Sequence, residues 1–144
     1  MIETLASILE KKGPGVYSVA PDAAVHDALS IMAEKNVAAV LVLVDGTLVG
    51  IVSTRDYGNK VVLRGRSARD TRVREIMTSP VITVSLDASA LECMAIMTRN
   101  HIRHLPVVRK GDLVGVVSMG DLASAVVADQ AFKIEQLMTY VGHT

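Results

Sequence analysis

Val16–Tyr57 and Val81–Leu122 align without a gap at an offset of 65 positions, so most of the chain is one pattern written twice. Ile31-Met32 falls on Ile96-Met97, Leu48-Val49-Gly50 on Leu113-Val114-Gly115, Val52-Ser53 on Val117-Ser118, and Asp56 on Asp121. About a third of the paired positions are identical, and most of the rest exchange one small apolar residue for another. Two copies are too few for a solenoid, which stacks three or more units to bury its core. A tandem pair with one period predicts two similar units folded against each other about a pseudo-twofold axis. That arrangement leaves two equivalent clefts between the units, where a ligand is expected.

Each copy reads as strand, helix, strand, strand, helix, a mixed α/β (α+β) pattern. Val16–Val19 and Val81–Val84 are short β-rich runs followed by turn residues. Val25, Ala28, Leu29 and Met32 then recur at helical spacing, as do Ala90, Cys93, Met94 and Met97. Asp22 and Asp87 stand just ahead, where a carboxylate favours a helix N-terminus. Val40–Val44 and Leu105–Val108 are apolar runs that suit strands buried on both faces. Asp45-Gly46 and Lys110-Gly111 predict tight turns into Leu48–Ser53 and Leu113–Ser118. Helices are expected to begin at Thr54 and Met119.

The division expected is residues 1–64 for the first copy with an N-terminal helix, 65–75 for a polar connection, and 76–144 for the second copy. In the N-terminal helix Leu5, Ile8 and Leu9 share a face; the tail from Asp121 to Val141 is helix-like throughout. Both terminal helices have apolar faces that need cover, which predicts a homodimer.

Composition narrows the function. Lys plus Arg and Asp plus Glu are 15 each, so the formal net charge is zero, which argues against nucleic-acid binding. No apolar run is long enough to span a bilayer, and the N-terminus lacks the basic start and apolar middle of a signal peptide. One cysteine, Cys93, cannot form an internal disulfide, so a reducing, cytoplasmic setting is expected. Cys93 lies on an apolar helix face, where burial raises a thiol's pKa and makes it inert. His26, His101 and His143 form no metal-ligand spacing, and no metal site is expected.

Two constellations could carry chemistry. Ser53-x-x-Asp56 and Ser118-x-x-Asp121 stand where a strand gives way to a helix, and the spacing alone fits a capping box worth about 1 kcal/mol. The same geometry suits a ligand: the carboxylate can accept both hydroxyls of a ribose, and the helix N–H groups favour an anion. Arg103-His104-Leu105-Pro106 is the second. By itself a basic pair beside a buried strand is a solvated rim.

The tandem β-α-β-β-α unit resembles the CBS (cystathionine-β-synthase) domain pair, or Bateman module. The strings that carry the resemblance are Met77-Thr78-Ser79-Pro80-Val81, Arg103-His104-Leu105-Pro106-Val107-Val108, Leu113–Ser118 with Asp121, and Leu48–Ser53 followed by Thr54-Arg55-Asp56. The resemblance covers about Val16 to Val127. The resemblance implies a stand-alone regulatory, signal-transducing module that binds adenosine-containing ligands such as AMP, ADP, ATP, NAD or S-adenosylmethionine, with no catalytic residues. By matching position it implies that Asp56 and Asp121 hold ribose, with Ser53, Thr54 and Ser118 assisting. Arg103 and His104 would meet phosphate, Leu105 and Pro106 would flank the base, and Val16, Tyr17, Val81 and Ile82 would offer backbone groups to adenine. Arg55, Lys60 and Arg64 could reach phosphate from the first copy, though a solvated helix face is the plainer reading. Ala38-Ala39-Val40-Leu41 matches Arg103–Pro106 and has neither base nor proline, which predicts unequal clefts. With no effector domain attached to the module, output would pass through the dimer or a regulated protein partner. The competing reading is a ligand-free structural dimer or adaptor whose Ser and Asp residues serve only as caps. An enzyme acting on nucleotides finds no nucleophile–base pair in the sequence.

Overall fold

The computed structural model describes residues 4–13 and 15–142. The chain forms two compact units, Val16–Ile82 and a second made of Met1–Gly15 with Thr83–Thr144. Each contains one copy of the repeat.

In the Val16–Ile82 unit, β1 (Ser18–Val19), β2 (Ala39–Val44) and β3 (Thr47–Ser53) form a sheet in the order β1-β2-β3. β1 runs parallel to β2, and β2 pairs antiparallel with β3. β1 is only two residues long, so Val16 and Tyr17 precede it rather than belong to it. The β2–β3 turn places Asp45 at φ 48° and Gly46 at φ 79°. Two successive positive-φ residues are what a type I′ hairpin needs, and Asp-Gly supplies them at little cost. α2 (Val25–Lys35) turns Val25, Ala28 and Met32 inward onto Val40, Val42 and Val52. α3 (Thr54–Lys60) follows β3 directly.

Asp22 does not cap α2. The N-cap is Ala24, with no side-chain bond, and Asp22 instead pairs with Arg74 while its carbonyl accepts from Arg72. The orphan amides of α2 are satisfied from the connection: Val25 donates to the Thr71 carbonyl at 2.8 Å and His26 to that of Ala68 at 3.0 Å. Residues 65–76 are therefore packed into this unit. Thr71, Val73 and Ile76 are buried in this unit, and an Arg66–Glu75 ion pair spans the segment. Satisfying a helix end and burying three side chains outweighs the freedom a polar chain would keep.

In the second unit, β4 (Val84–Ser85), β5 (His104–Arg109) and β6 (Asp112–Ser118) repeat the sheet in the order β4-β5-β6, with the same parallel and antiparallel pairings. β4 begins at Val84, so Val81 and Ile82 lie outside it. Both hairpins carry a register irregularity at the matching place, Val42/Leu43 and Val107/Val108. α4 (Ala90–Asn100) is capped by Ser89, whose hydroxyl accepts from Glu92 at 3.1 Å, and not by Asp87. α5 (Met119–Gly142) is one continuous helix of 24 residues.

α1 (Leu5–Lys12) belongs to this second unit rather than to the first copy, where sequence order alone would put it. Leu5 and Ile8 are buried in a core with Ala90, Cys93, Met97, Leu105, Val117, Leu122 and Ala125. Eight residues are too few for a stable isolated helix, but burying two such side chains contributes about 1.5–3 kcal/mol each. Leu9 adds a close contact. A Cβ built on Gly115 would lie 2.7 Å from Leu9 Cδ2, just as one on Gly50 would lie 2.5 Å from Met77 Sδ. The N-terminal helix thus covers in one unit what the Met77 segment covers in the other.

Candidate functional site

Both Ser-x-x-Asp motifs sit at a strand-to-helix junction, and both close a capping box. Ser53 donates its N–H to Asp56 Oδ2 at 2.9 Å, and Asp56 donates its own to Ser53 Oγ at 3.2 Å. Ser118 and Asp121 repeat this at 2.8 and 3.0 Å. The next residue is also held alike: Thr54 N–H donates to the Ala38 carbonyl at 3.0 Å and Met119 N–H to that of Arg103 at 2.9 Å. The carboxylates are thus fixed at the helix starts.

Each carboxylate also meets a lysine, and here the copies diverge. Lys60, one turn along α3, pairs with Asp56 at 3.0 Å and donates to the Ile76 carbonyl at 2.9 Å. The position matching Lys60 in the second copy is Ala125, buried against the N-terminal helix. Its lysine comes instead from α1: Lys12 Nζ lies 2.8 Å from Asp121 Oδ2 and donates to the Val116 carbonyl at 2.9 Å. An ammonium in nearly the same role thus arrives from 109 positions away. The resemblance that singles out Asp121 gives no sign of Lys12; its one trace in the sequence is the alanine at 125.

Burial works against the charge of Asp121, but the Lys12 ammonium and the Ser118 bonds outweigh it and hold the carboxyl below its ordinary range. His104, opposite Ser118 in the β5–β6 register, is pushed the other way. Burial lowers its pKa first, Lys12 and Arg103 add to that, and Asp121 opposes it. Its imidazole is neutral at neutral pH, one donor and one acceptor. An open pocket of about 270 Å³ adjoins Asp121, lined by Ile8, Lys11, Lys12, Asp121, Ser124 and Ala125.

The remaining expected contacts are placed unevenly. Arg103 is exposed beside the junction. Leu105 is fully buried in the core. Pro106 is buried within β5. The Tyr17 carbonyl accepts the Leu41 N–H at 2.9 Å with one of its two lone pairs, and its ring packs against the core with Lys35 Nζ 5.7 Å from the ring centroid. Pro106 stands where Leu41 stands in the first copy and has no N–H to give Ile82 in the same way. Val16 and Ile82 are exposed and Val81 half-buried. Arg55 and Arg64 are exposed, whereas Lys60 is committed to Asp56. Cys93 is fully buried, and burial, with Glu92 nearby, raises its thiol pKa. Among the described residues no three His, Cys, Asp or Glu side chains come close enough to hold a metal ion. No described helix is long and apolar enough to cross a membrane.

A duplicated β-α-β-β-α unit with a Ser–Asp junction in each copy defines a tandem regulatory-domain architecture. The CBS domain profile matches residues 12–57 and 73–128, and the chain belongs to the CBS-domain family. It is 35% identical over 147 residues to a mitochondrial CBS-domain-containing protein of Arabidopsis thaliana, covering 96% of this chain and 71% of that protein. Among solved structures it resembles a candidate signal-transduction protein with CBS domains from Burkholderia ambifaria, with TM-score 0.84 and 46% identity over 89% of this chain and 96% of that one. A hexameric CBS-CP12 protein from bloom-forming cyanobacteria is also similar, with TM-score 0.76 and 26% identity over 85% and 71% of the two chains.

Proposed function

We propose that this chain is a non-enzymatic sensor that binds an adenosine-containing ligand, AMP, ADP, ATP, NAD or S-adenosylmethionine, with Asp121 as the ribose acceptor. The observation that carries the reading is the Asp121 carboxylate, fixed by Ser118 at the start of α5, held ionised, and opening onto a pocket. An ionised carboxylate accepts only, and a ribose diol supplies two donors in matching positions. His104 adds a neutral polar group and Arg103 a cation at the rim. Asp56 is the weaker site, since its copy lacks counterparts of Arg103, His104 and Pro106. Ligand would act by favouring one arrangement of the protein over another, by no more than its differential affinity for the two. Self-association through α5 is the route by which we infer the signal leaves, to a protein partner not yet identified. The buried thiol suits a cytoplasmic, reducing setting.

A second reading has an observation in its favour. Both carboxylates already complete capping boxes and ion pairs, which a ligand-free scaffold would need and nothing more. Calorimetry and thermal melting with the five ligands separate the two, on wild type, Asp121→Asn and Asp56→Asn. Ligand at about 100 times its dissociation constant should add about 2.7 kcal/mol of stability. We expect that gain with at least one ligand, lost in Asp121→Asn and kept in Asp56→Asn. No gain with any ligand would leave the scaffold.

A further inference from the structure

We propose that Lys12 makes the Asp121 site selective for phosphorylated ligands, so that a nucleotide is preferred over an uncharged nucleoside or a cationic adenosyl compound. The inference rests on the ribose reading of Asp121 and adds a residue that the matched motifs do not contain.

The argument begins with the ammonium. Lys12 Nζ has three donors; one goes to Asp121 Oδ2 and one to the Val116 carbonyl. Side-chain exposure at this pair is 30% for Lys12 and 25% for Asp121, so water screens it only in part. A ribose diol that takes the carboxylate competes directly with Lys12 for Oδ2. The displaced ammonium keeps its charge, and the pocket beside it offers Ser124 and a second cation, Lys11, but no other carboxylate. A nucleoside brings no anion, so its binding leaves the Lys12 ammonium without its counter-charge. A sulfonium ligand adds a third positive charge. A phosphate attached to the ribose meets Lys12 where it already stands, with Lys11 beside it.

The first copy differs in the one respect that matters. Lys60 sits on α3 itself, four residues from Asp56, and is held by the Ile76 carbonyl. The volume is consistent with the division of labour: about 270 Å³ lies below the roughly 300 Å³ at which sites for drug-sized ligands begin. It suits a sugar and one charged group, with the base extending beyond.

Isothermal calorimetry of AMP, adenosine and S-adenosylmethionine tests this on wild type, Lys12→Met, Lys12→Gln and Lys12→Arg, each first checked for an intact melt. A charge-assisted bond lost from a ligand corresponds to roughly tenfold or more in affinity. Wild type is expected to prefer AMP over adenosine by at least that factor. Lys12→Met and Lys12→Gln should lose the preference, weakening AMP while adenosine binds equally well or more tightly, and Lys12→Arg should keep it. A uniform gain for all three ligands in Lys12→Met would mean that Lys12 only occupies Asp121, and would overturn the proposal. An unchanged AMP-to-adenosine ratio would overturn it too, while leaving Asp121 as a ribose residue. Absence of binding by wild type to every ligand would remove the ribose reading and this inference together.

Discussion

His104 lies between opposing influences, and its protonation has a measurable consequence. Burial is the largest, and it disfavours the imidazolium; the Lys12 and Arg103 charges do the same, and only Asp121 pulls the other way. The folded protein therefore takes up the proton at lower pH than the unfolded chain, whose imidazole titrates near about 6.5. Stability from this residue is complete above that value and declines as pH falls from it toward the lowered folded pKa. We expect the melting temperature of wild type to drop between about pH 7 and pH 5, and the drop to be shallower in His104→Gln. Equal slopes in melts across that range would show that His104 makes no such contribution. The same residue bears on binding. In the proposed site its neutral imidazole can donate or accept, which leaves the counter-charge for a phosphate to Lys12 and Arg103.

α1 shows how an element can be legible while its place is not. Its apolar face, Leu5, Ile8 and Leu9, follows from helical spacing. What that face covers is decided by contacts with residues more than a hundred positions away. Gly115 is the tightest of them, because a Cβ there would press on Leu9. Gly115→Ala should destabilise the second unit by about 1–3 kcal/mol, the usual cost of overpacking. The double variant with Leu9→Ala should recover part of that loss, giving a non-zero coupling in a double-mutant cycle. Additive losses in chemical denaturation would mean that α1 does not rest on Gly115. The hairpins are the opposite case. Asp45-Gly46 and Lys110-Gly111 state their turn locally, and the strands on either side follow. Helix caps fall between. Ser89 is a local signal, a hydroxyl three residues ahead of Glu92, whereas Ala24 gives none, since α2 is finished by carbonyls from the polar connection. The Ser–Asp junctions are legible because hydroxyl, carboxylate and helix start lie within four residues. Lys12 is not, because nothing near it in sequence points to Asp121.

The outer half of α5 carries an exposed apolar stripe, and the self-association proposed above predicts that a second copy of the chain covers it. The first half is held in the core by Leu122 and Ala125, but every residue from Gln130 to Val141 is exposed. Val127, Ala131, Ile134, Met138 and Val141 follow one another at alternating steps of four and three, the spacing of a seam between paired helices. Leu137 widens the stripe, and Ile134, Leu137 and Met138 are 63%, 67% and 68% exposed. Five large apolar side chains per helix (Val127, Ile134, Leu137, Met138, Val141), ten in a pair, contribute at about 1.5–3 kcal/mol each. That total reaches or exceeds an association cost of about 4–15 kcal/mol. Ile134→Glu with Met138→Glu removes four of the ten and sets four carboxylates in the seam, which reverses the balance. Wild type is therefore expected to sediment as a dimer or larger assembly at micromolar concentration, and the double variant as a monomer. Because both residues lie outside the core, the double variant should keep its helical circular dichroism. A wild-type monomer across that range would exclude the seam as an interface. An oligomer unaffected by the two glutamates would place the contact elsewhere. If the assembly also tightens when AMP is added to wild type but not to Asp121→Asn, the beginning and the end of α5 report on each other. One helix would then carry the ligand's effect from Asp121 to the neighbouring copy.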